Sequence, residues 1–191
     1  MFECVSTQGY AATTVPQVVA AARVAKNSFY EFFDDKLRCF LELCDKEAED
    51  LFRVASTGPP APNWRVRAAQ RTEAYLRWWQ ERPAFSRAYL VELPFAGPKA
   101  IEQRERQSEP YRRMYRAVAR RARLEEPQLP PMPSKAPDIL VAGIVDVVAR
   151  EVRAGRTDKL VSLADELTAA TIAILSGEPA AAGCGPSSTD D

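Results

Sequence analysis

Gly9-Tyr10-Ala11-Ala12-Thr13-Thr14-Val15, then Val24-Ala25-Lys26-Asn27-Ser28-Phe29-Tyr30-Glu31-Phe32-Phe33, then Asp35-Lys36, form the stretch on which the reading of this chain turns. Gly9 can supply the left-handed residue that closes a short helix over Phe2 to Thr7. The Thr13-Thr14 pair offers a cap for a second helix, with Pro16 tolerated in its first turn and Val18, Val19 and Ala22 along it. Arg23-Val24-Ala25 makes a turn, and Asn27 to Phe33 makes a third helix. Val15, Val18 and Val19 can bury against Phe29, Phe32 and Phe33, locking two short helices at a fixed angle. That packing leaves Lys26, Asn27, Ser28 and Tyr30 at the exposed start of the third helix.

Taken in order and without a gap, these residues resemble the helix-turn-helix of the TetR family over about the first 45 residues. The resemblance implies an all-α protein in which an N-terminal three-helix DNA-binding domain (1–45) is followed by a helical ligand-binding and dimerisation domain (46–176). It further implies that Thr14, Tyr30 and Lys36 contact phosphate, and that Pro16, Gln17, Lys26, Asn27 and Ser28 lie near bases or backbone. Chemically, Lys26 can reach guanine and Asn27 can pair with adenine. The chain departs from the family pattern at Arg23, where Gly is usual in the turn, at Ala25, where Ser is common, and at Asn27, where Gly is frequent. Glu31 sets a negative charge on the reading helix. The family's first helix also usually begins about two turns before the residue matching Met1.

Beyond this stretch the 3.6-residue period persists, and no run of alternating β-branched residues interrupts it. Asp34-Asp35 caps a fourth helix whose Leu37, Phe40, Leu41, Cys44, Ala48, Leu51 and Phe52 share one face. Thr57 to Pro62 breaks the pattern. Helices are then expected over Trp64–Glu81, Ala84–Leu93, Lys99–Arg123, Asp138–Ala154 and Asp158–Ser176, with an extended proline-rich link at Pro127–Pro137. A disordered tail is expected over 177–191.

Large side chains concentrate in the middle helices at Tyr75, Trp78, Trp79, Phe85, Tyr89, Phe95, Tyr111, Met114 and Tyr115. The family expectation is a pocket for a small, largely apolar effector, with Trp78, Trp79, Tyr89, Tyr111 and Tyr115 as its candidate lining. An acidic effector stays open, although the arginines at 112, 113, 116, 120, 121 and 123 read as a solvated face. Apolar stripes on the last two helices suit a dimer interface, with Ile144, Val148, Leu163, Leu167 and Ile174 as candidates.

Composition narrows the rest. With 46% hydrophobic and 27% charged residues the chain has a globular balance rather than a disordered one. The apolar run Ile139 to Val145 is far short of the roughly 20 residues that cross a bilayer, so no membrane association is expected. Met1-Phe2-Glu3-Cys4 lacks the basic segment and apolar core of a signal peptide, so the cytoplasm is the expected compartment. There is no histidine, no G-x-S-x-G elbow, no phosphate-binding glycine loop and no metal-ligand spacing among the cysteines. Neither an enzyme nor a cofactor or metal is expected. Cys39 and Cys44 could sense redox state only if exposed to solvent beside positive charge.

The expected partners are therefore double-stranded operator DNA, a small-molecule effector and a second copy of the chain, as in a repressor released by its ligand. Charge weighs against this. Residues 1–54 hold six Lys/Arg against nine Asp/Glu, where a DNA-reading module is expected to be positive. The alternative is a helical dimeric interaction module that has lost DNA binding.

Overall fold

The computed structural model describes residues 1–177; the expected disordered tail after Gly177 lies outside them. Three short helices open the chain: α1 (Phe2–Gln8), α2 (Val15–Ala22) and α3 (Lys26–Phe32). They are followed by α4 (Lys36–Ser56), α5 (Trp64–Gln80), α6 (Pro83–Arg87), α7 (Pro98–Glu125), α8 (Ala136–Arg153) and α9 (Ala164–Ser176). Among the described residues no strand forms, and no helix is long and apolar enough to cross a membrane.

Helix starts are set by local chemistry. The Asp35 carboxylate accepts a hydrogen bond from Arg38 N at 2.7 Å, and the Asn63 side chain accepts one from Val66 N at 2.9 Å, each satisfying an orphan donor of a first turn. At α2, Gln17 Oε1 accepts from both the backbone N and the hydroxyl of Thr14 at 2.8 and 2.9 Å. Helix α4 runs unbroken across the expected boundary at residue 45. Between α6 and α7 the chain widens and tightens in turn: Ala88–Glu92 is a π-helical turn and Leu93–Ala96 a 3-10 turn, where one continuous helix to Leu93 was expected. Thr157–Leu163 is likewise 3-10 rather than α, so the last regular helix is shorter than its sequence period suggests. Pro110 sits inside α7 and removes the hydrogen bond that would end on the Arg106 carbonyl.

The main core gathers Phe40, Leu76, Trp79, Phe85, Leu90, Leu93, Val148 and Leu160, with α5 packed between α4, α9 and the 157–163 turn. Val5 of α1 and Tyr10 of the following turn belong to this same core. The opening helices therefore do not stand apart from the larger domain. A small separate cluster of Val18, Val19, Phe29 and Cys39 holds α2 and α3 together.

Two sequence expectations are corrected here. Phe32 is 75% exposed rather than part of the α2–α3 core. α3 ends at Phe32, and the extended backbone of Phe33 turns that ring inward instead, 5.4 Å from Phe29. Cys39 and Cys44 are both buried, and burial raises both thiol pKa values above the ordinary range, so neither has the thiolate character a redox sensor needs.

Arg23 occupies the turn between α2 and α3 with φ 56°, the only positive φ outside glycine among the described residues. An L-residue there costs about 1–2 kcal/mol, partly offset by its smaller freedom in the unfolded chain. Arg23→Gly should accordingly raise stability by about 0.5–1 kcal/mol. A urea midpoint that stays put or falls would show that the turn is not strained.

Candidate functional sites

The first site is the surface presented by α2 and α3. Thr14, Pro16, Gln17, Lys26, Asn27 and Tyr30 are exposed and Ser28 is half-buried. They differ in how free their side chains are. Asn27 and Ser28 have no side-chain hydrogen bond among the described residues, and Lys26 Nζ lies only loosely over the Tyr30 ring at 5.9 Å. Gln17 is committed. Besides Thr14, its Oε1 accepts from Gln8 Nε2 at 3.0 Å and its Nε2 donates to Gln8 Oε1 at 3.2 Å, tying α2 to α1.

Lys36 is also committed. Its ammonium donates to Tyr10 O at 2.7 Å and Thr13 O at 2.8 Å and lies 4.1 Å from the centre of the Tyr10 ring. Burial holds its pKa below the ordinary lysine value. The side chain thus clamps the turn between α1 and α2, leaving one N–H direction for a phosphate.

The second site is a cavity of about 80 Å³ between α4, α5, α6, α7, α8, α9 and the Ala88–Glu92 turn. Trp79, Tyr89, Tyr111 and Tyr115 line it, together with Tyr75, Phe85, Met114 and Leu51. Trp78 does not, which corrects the sequence expectation. Its indole N–H donates to Asp50 Oδ2 at 2.8 Å, Arg82 lies 4.3 Å from its ring, and it packs edge-on behind the lining rings of Trp79 and Phe85. Phe95, read with the same aromatic group, is 74% exposed.

Tyr75, Tyr111 and Tyr115 keep some free surface, yet burial raises their hydroxyl pKa values, that of Tyr75 up to about 12. All three line the cavity, where their hydroxyls stay protonated. The polar part of the wall includes Arg71 of α5 and Arg104 of α7, which the aromatic pattern alone did not single out. A stripe at four-residue spacing carried the signal: Arg71, Tyr75 and Trp79 on α5, and Arg104, Ser108 and Tyr111 with Tyr115 on α7.

The segment Pro83–Glu92 touches both sites. Phe85 and Tyr89 of Pro83–Glu92 line the cavity. From the same segment, Arg87 Nε donates to Ser6 O at 3.0 Å, and Glu92 Oε2 accepts from Tyr10 N at 3.1 Å. The Phe2 ring meets Phe85 edge-on at 4.8 Å. Gly9, at φ 85°, lets the chain pass Glu92 closely: a Cβ there would lie 3.1 Å from Glu92 Oε2.

The candidate dimer residues scatter. Val148 is fully enclosed in the protomer's own core, which corrects its assignment to a surface, and Ile144 lines the cavity. Leu163 and Leu167 pack partly against the main core and Ile174 against a second cluster around Trp64 and Leu140. Apart from Ile139, which is 58% exposed at the start of α8, what α8 and α9 leave exposed is mostly small or charged, including Ala142, Gly143, Asp146, Ala169 and Ala170.

Residues 2–43 match the family model described as bacterial regulatory proteins, tetR family. No curated protein sequence matches the chain. Among solved structures, the fold resembles the transcriptional regulator FadR of Bacillus subtilis, crystallised with stearoyl-CoA, with a TM-score of 0.72 at 14% identity over 90% of this chain and 93% of that one. It also resembles the fatty acid degradation regulator FadR of Bacillus halodurans, with a TM-score of 0.74 at 13% identity over 93% and 91% of the two chains. PfmR, a TetR-family transcriptional regulator of Thermus thermophilus, gives 0.60 at 19% identity over 94% and 98%.

Proposed function

We propose, from the match of residues 2–43 to the family model of bacterial regulatory proteins, tetR family, that the protein is a ligand-responsive transcriptional repressor of that family. It binds a near-palindromic operator as a homodimer and is released by a small effector held in the cavity. The observation that carries this reading is the segment Pro83–Glu92, which forms part of the cavity wall and also holds the first helix and the turn after it. A ligand that displaces that wall must act on the position of the reading head.

Cavity size supports such displacement. About 80 Å³ is less than the roughly 150 Å³ engineered cavity that admits benzene. Any larger effector has to part the walls, and a close-packed interior answers by shifting whole elements rather than by yielding continuously. The Bacillus subtilis relative holds stearoyl-CoA; an acyl chain of that size would require such an opening here.

On DNA, two copies of α3 have to enter successive major grooves about 34–36 Å apart. Asn27, with no intrachain partner among the described residues, is the side chain placed to read a base. Asn27→Ala should reduce discrimination between operator and random DNA by about 1–3 kcal/mol while leaving the melting temperature in place. Mobility-shift titrations of the upstream intergenic DNA over a range of salt test both claims; no binding even at low salt refutes the repressor reading. That outcome would favour the alternative of an interaction module without DNA binding, for which the excess of acidic residues over 1–54 speaks.

For the dimer we propose the exposed small residues of α8 and α9 as the contact. Ala170→Arg adds a large charged side chain at an exposed site, so the fold should survive and the mass by light scattering should halve. Unchanged dimer mass would move the interface elsewhere.

A further inference from the structure

The cavity wall carries two arginines that no described residue neutralises, and we infer that the effector is an apolar-tailed organic anion whose charged group is held by Arg71 and Arg104. This inference rests on the reading of the cavity as the effector site.

Arginines are abundant in this chain, and those on the outer faces of the helices are mostly paired. Arg112 alone engages Glu105 at 2.6 Å, Glu109 at 3.6 Å and Asp138 at 2.8 Å. Arg71 and Arg104 behave differently. Neither forms an ion pair among the described residues, and the only polar contact of Arg71 is a long 3.4 Å hydrogen bond to Ser56 O. Both line the cavity from facing helices. Burial, with the like charge of Arg67 second, lowers the pKa of Arg71, as expected of a guanidinium drawn out of water without a counter-ion. Arg104 lies near enough to Tyr75 and Tyr89 to oppose the burial that raises their hydroxyl pKa values.

Other polar atoms in the wall point the same way. The Tyr111 and Thr171 hydroxyls are buried, line the cavity and have no hydrogen-bond partner. A buried hydroxyl left unmatched costs free energy that a ligand oxygen would recover. Two unpaired guanidiniums and two unmatched hydroxyls make a wall rich in donors. The lining side chain of Gln107 is already engaged: its Nε2 donates to Asp45 Oδ1 at 2.6 Å and its Oε1 accepts from the Tyr89 hydroxyl at 2.5 Å. Apart from Thr72 and Ser108, the rest of the lining is aromatic or aliphatic, with Met114. An acceptor-rich anionic group on an apolar tail satisfies all of these surfaces; a neutral or cationic amphiphile leaves the two arginines unmatched.

The anion can come from two sources, a free carboxylate or the phosphates of an acyl thioester. The test is calorimetric titration of the full chain with octanoate, 1-octanol and octanoyl-CoA, with emission of Trp79 in the cavity wall as a second readout. One or both anions should bind at least about tenfold more tightly than octanol, the scale of a charge-assisted hydrogen bond. Arg71→Gln and Arg104→Gln should each erase about tenfold of the anion affinity and leave octanol unchanged. Arg104→Lys, which keeps the charge, should retain part of it, and melting curves confirm that each variant is folded. Preference for octanoate identifies a carboxylate, and preference for octanoyl-CoA with the same arginine dependence identifies the phosphates. Octanol binding as tightly as both anions, or anion binding indifferent to both arginines, overturns the inference and leaves the cavity as an effector site. Failure of all three to bind overturns the cavity reading and the inference with it.

Discussion

Lys36→Met should weaken binding to every DNA sequence and lower the melting temperature in the same variant. By family resemblance Lys36 is a phosphate contact, and loss of that contact alone would leave the fold untouched. The geometry gives the ammonium a second task. It holds the Tyr10 and Thr13 carbonyls at 2.7 and 2.8 Å and covers the Tyr10 ring, thereby fixing the turn that sets α1 against α2. Hydrogen bonds from a charged group contribute about 1.5–3 kcal/mol each, although water can replace part of that at a half-buried site. A net loss of about 2–3 kcal/mol is the reasonable scale, which for a chain of this length is a fall of several degrees. DNA binding should suffer further, because α2 and α3 lose their fixed position relative to the rest of the molecule. Calorimetric melting and mobility shift on the same preparation separate the two tasks. Weakened DNA binding with an unchanged melting temperature would mean that Lys36 acts on phosphate alone and that the clamp contributes nothing.

The contrast between Lys36 and Asn27 shows what the sequence makes legible. Helix starts could be read because their signals are local: Asp35 and Asn63 cap the helices that follow them, three residues from the donors they satisfy. The order of helices and the break at Thr57–Pro62 follow from the same short-range chemistry. Side-chain commitments over long separations were not legible. Trp78 and Trp79 are neighbours in sequence and point about 100° apart on α5. Trp78 is held outside the cavity lining by Asp50, distant in sequence, together with Arg82 and Phe85. Val148 reads as a surface stripe until α6, α7 and the 157–163 turn are brought against α8. Arg71 and Arg104 are two among many arginines until the fold brings them into one cavity wall without a carboxylate partner among the described residues. The π turn at Ala88–Glu92 departs from the 3.6-residue period that makes helices readable, and it falls where the cavity meets the first helix.

Glu92→Ala should leave effector affinity within about twofold and strip away much of the effector's influence on DNA, which at ordinary coupling is about 5–150-fold. The reason lies in what each end of the segment touches. Tyr89 and Phe85 meet the cavity, and Glu92 meets the backbone of the turn after α1, through Tyr10 N at 3.1 Å. Truncating Glu92 therefore removes no cavity contact. It loosens the attachment by which a displaced wall would carry the reading head along, leaving Arg87 on Ser6 and the Phe2–Phe85 contact as the remaining links. Loss of one charge-assisted hydrogen bond across this junction should reduce the coupling free energy by about 1.5 kcal/mol, roughly tenfold in the ratio of operator affinities with and without ligand. Adding Arg87→Ala should reduce it further. Linkage supplies an internal check, since operator DNA must weaken the effector by the same factor by which effector weakens the operator. With octanoate or octanoyl-CoA, whichever binds, both legs of the cycle can be measured by titration, and the variant must shrink them equally. Full coupling in the double variant would show that displacement of the cavity wall reaches the DNA-binding helices by another route, either the Phe2–Phe85 contact or α4, which carries Lys36 at its start and Leu51 in the cavity.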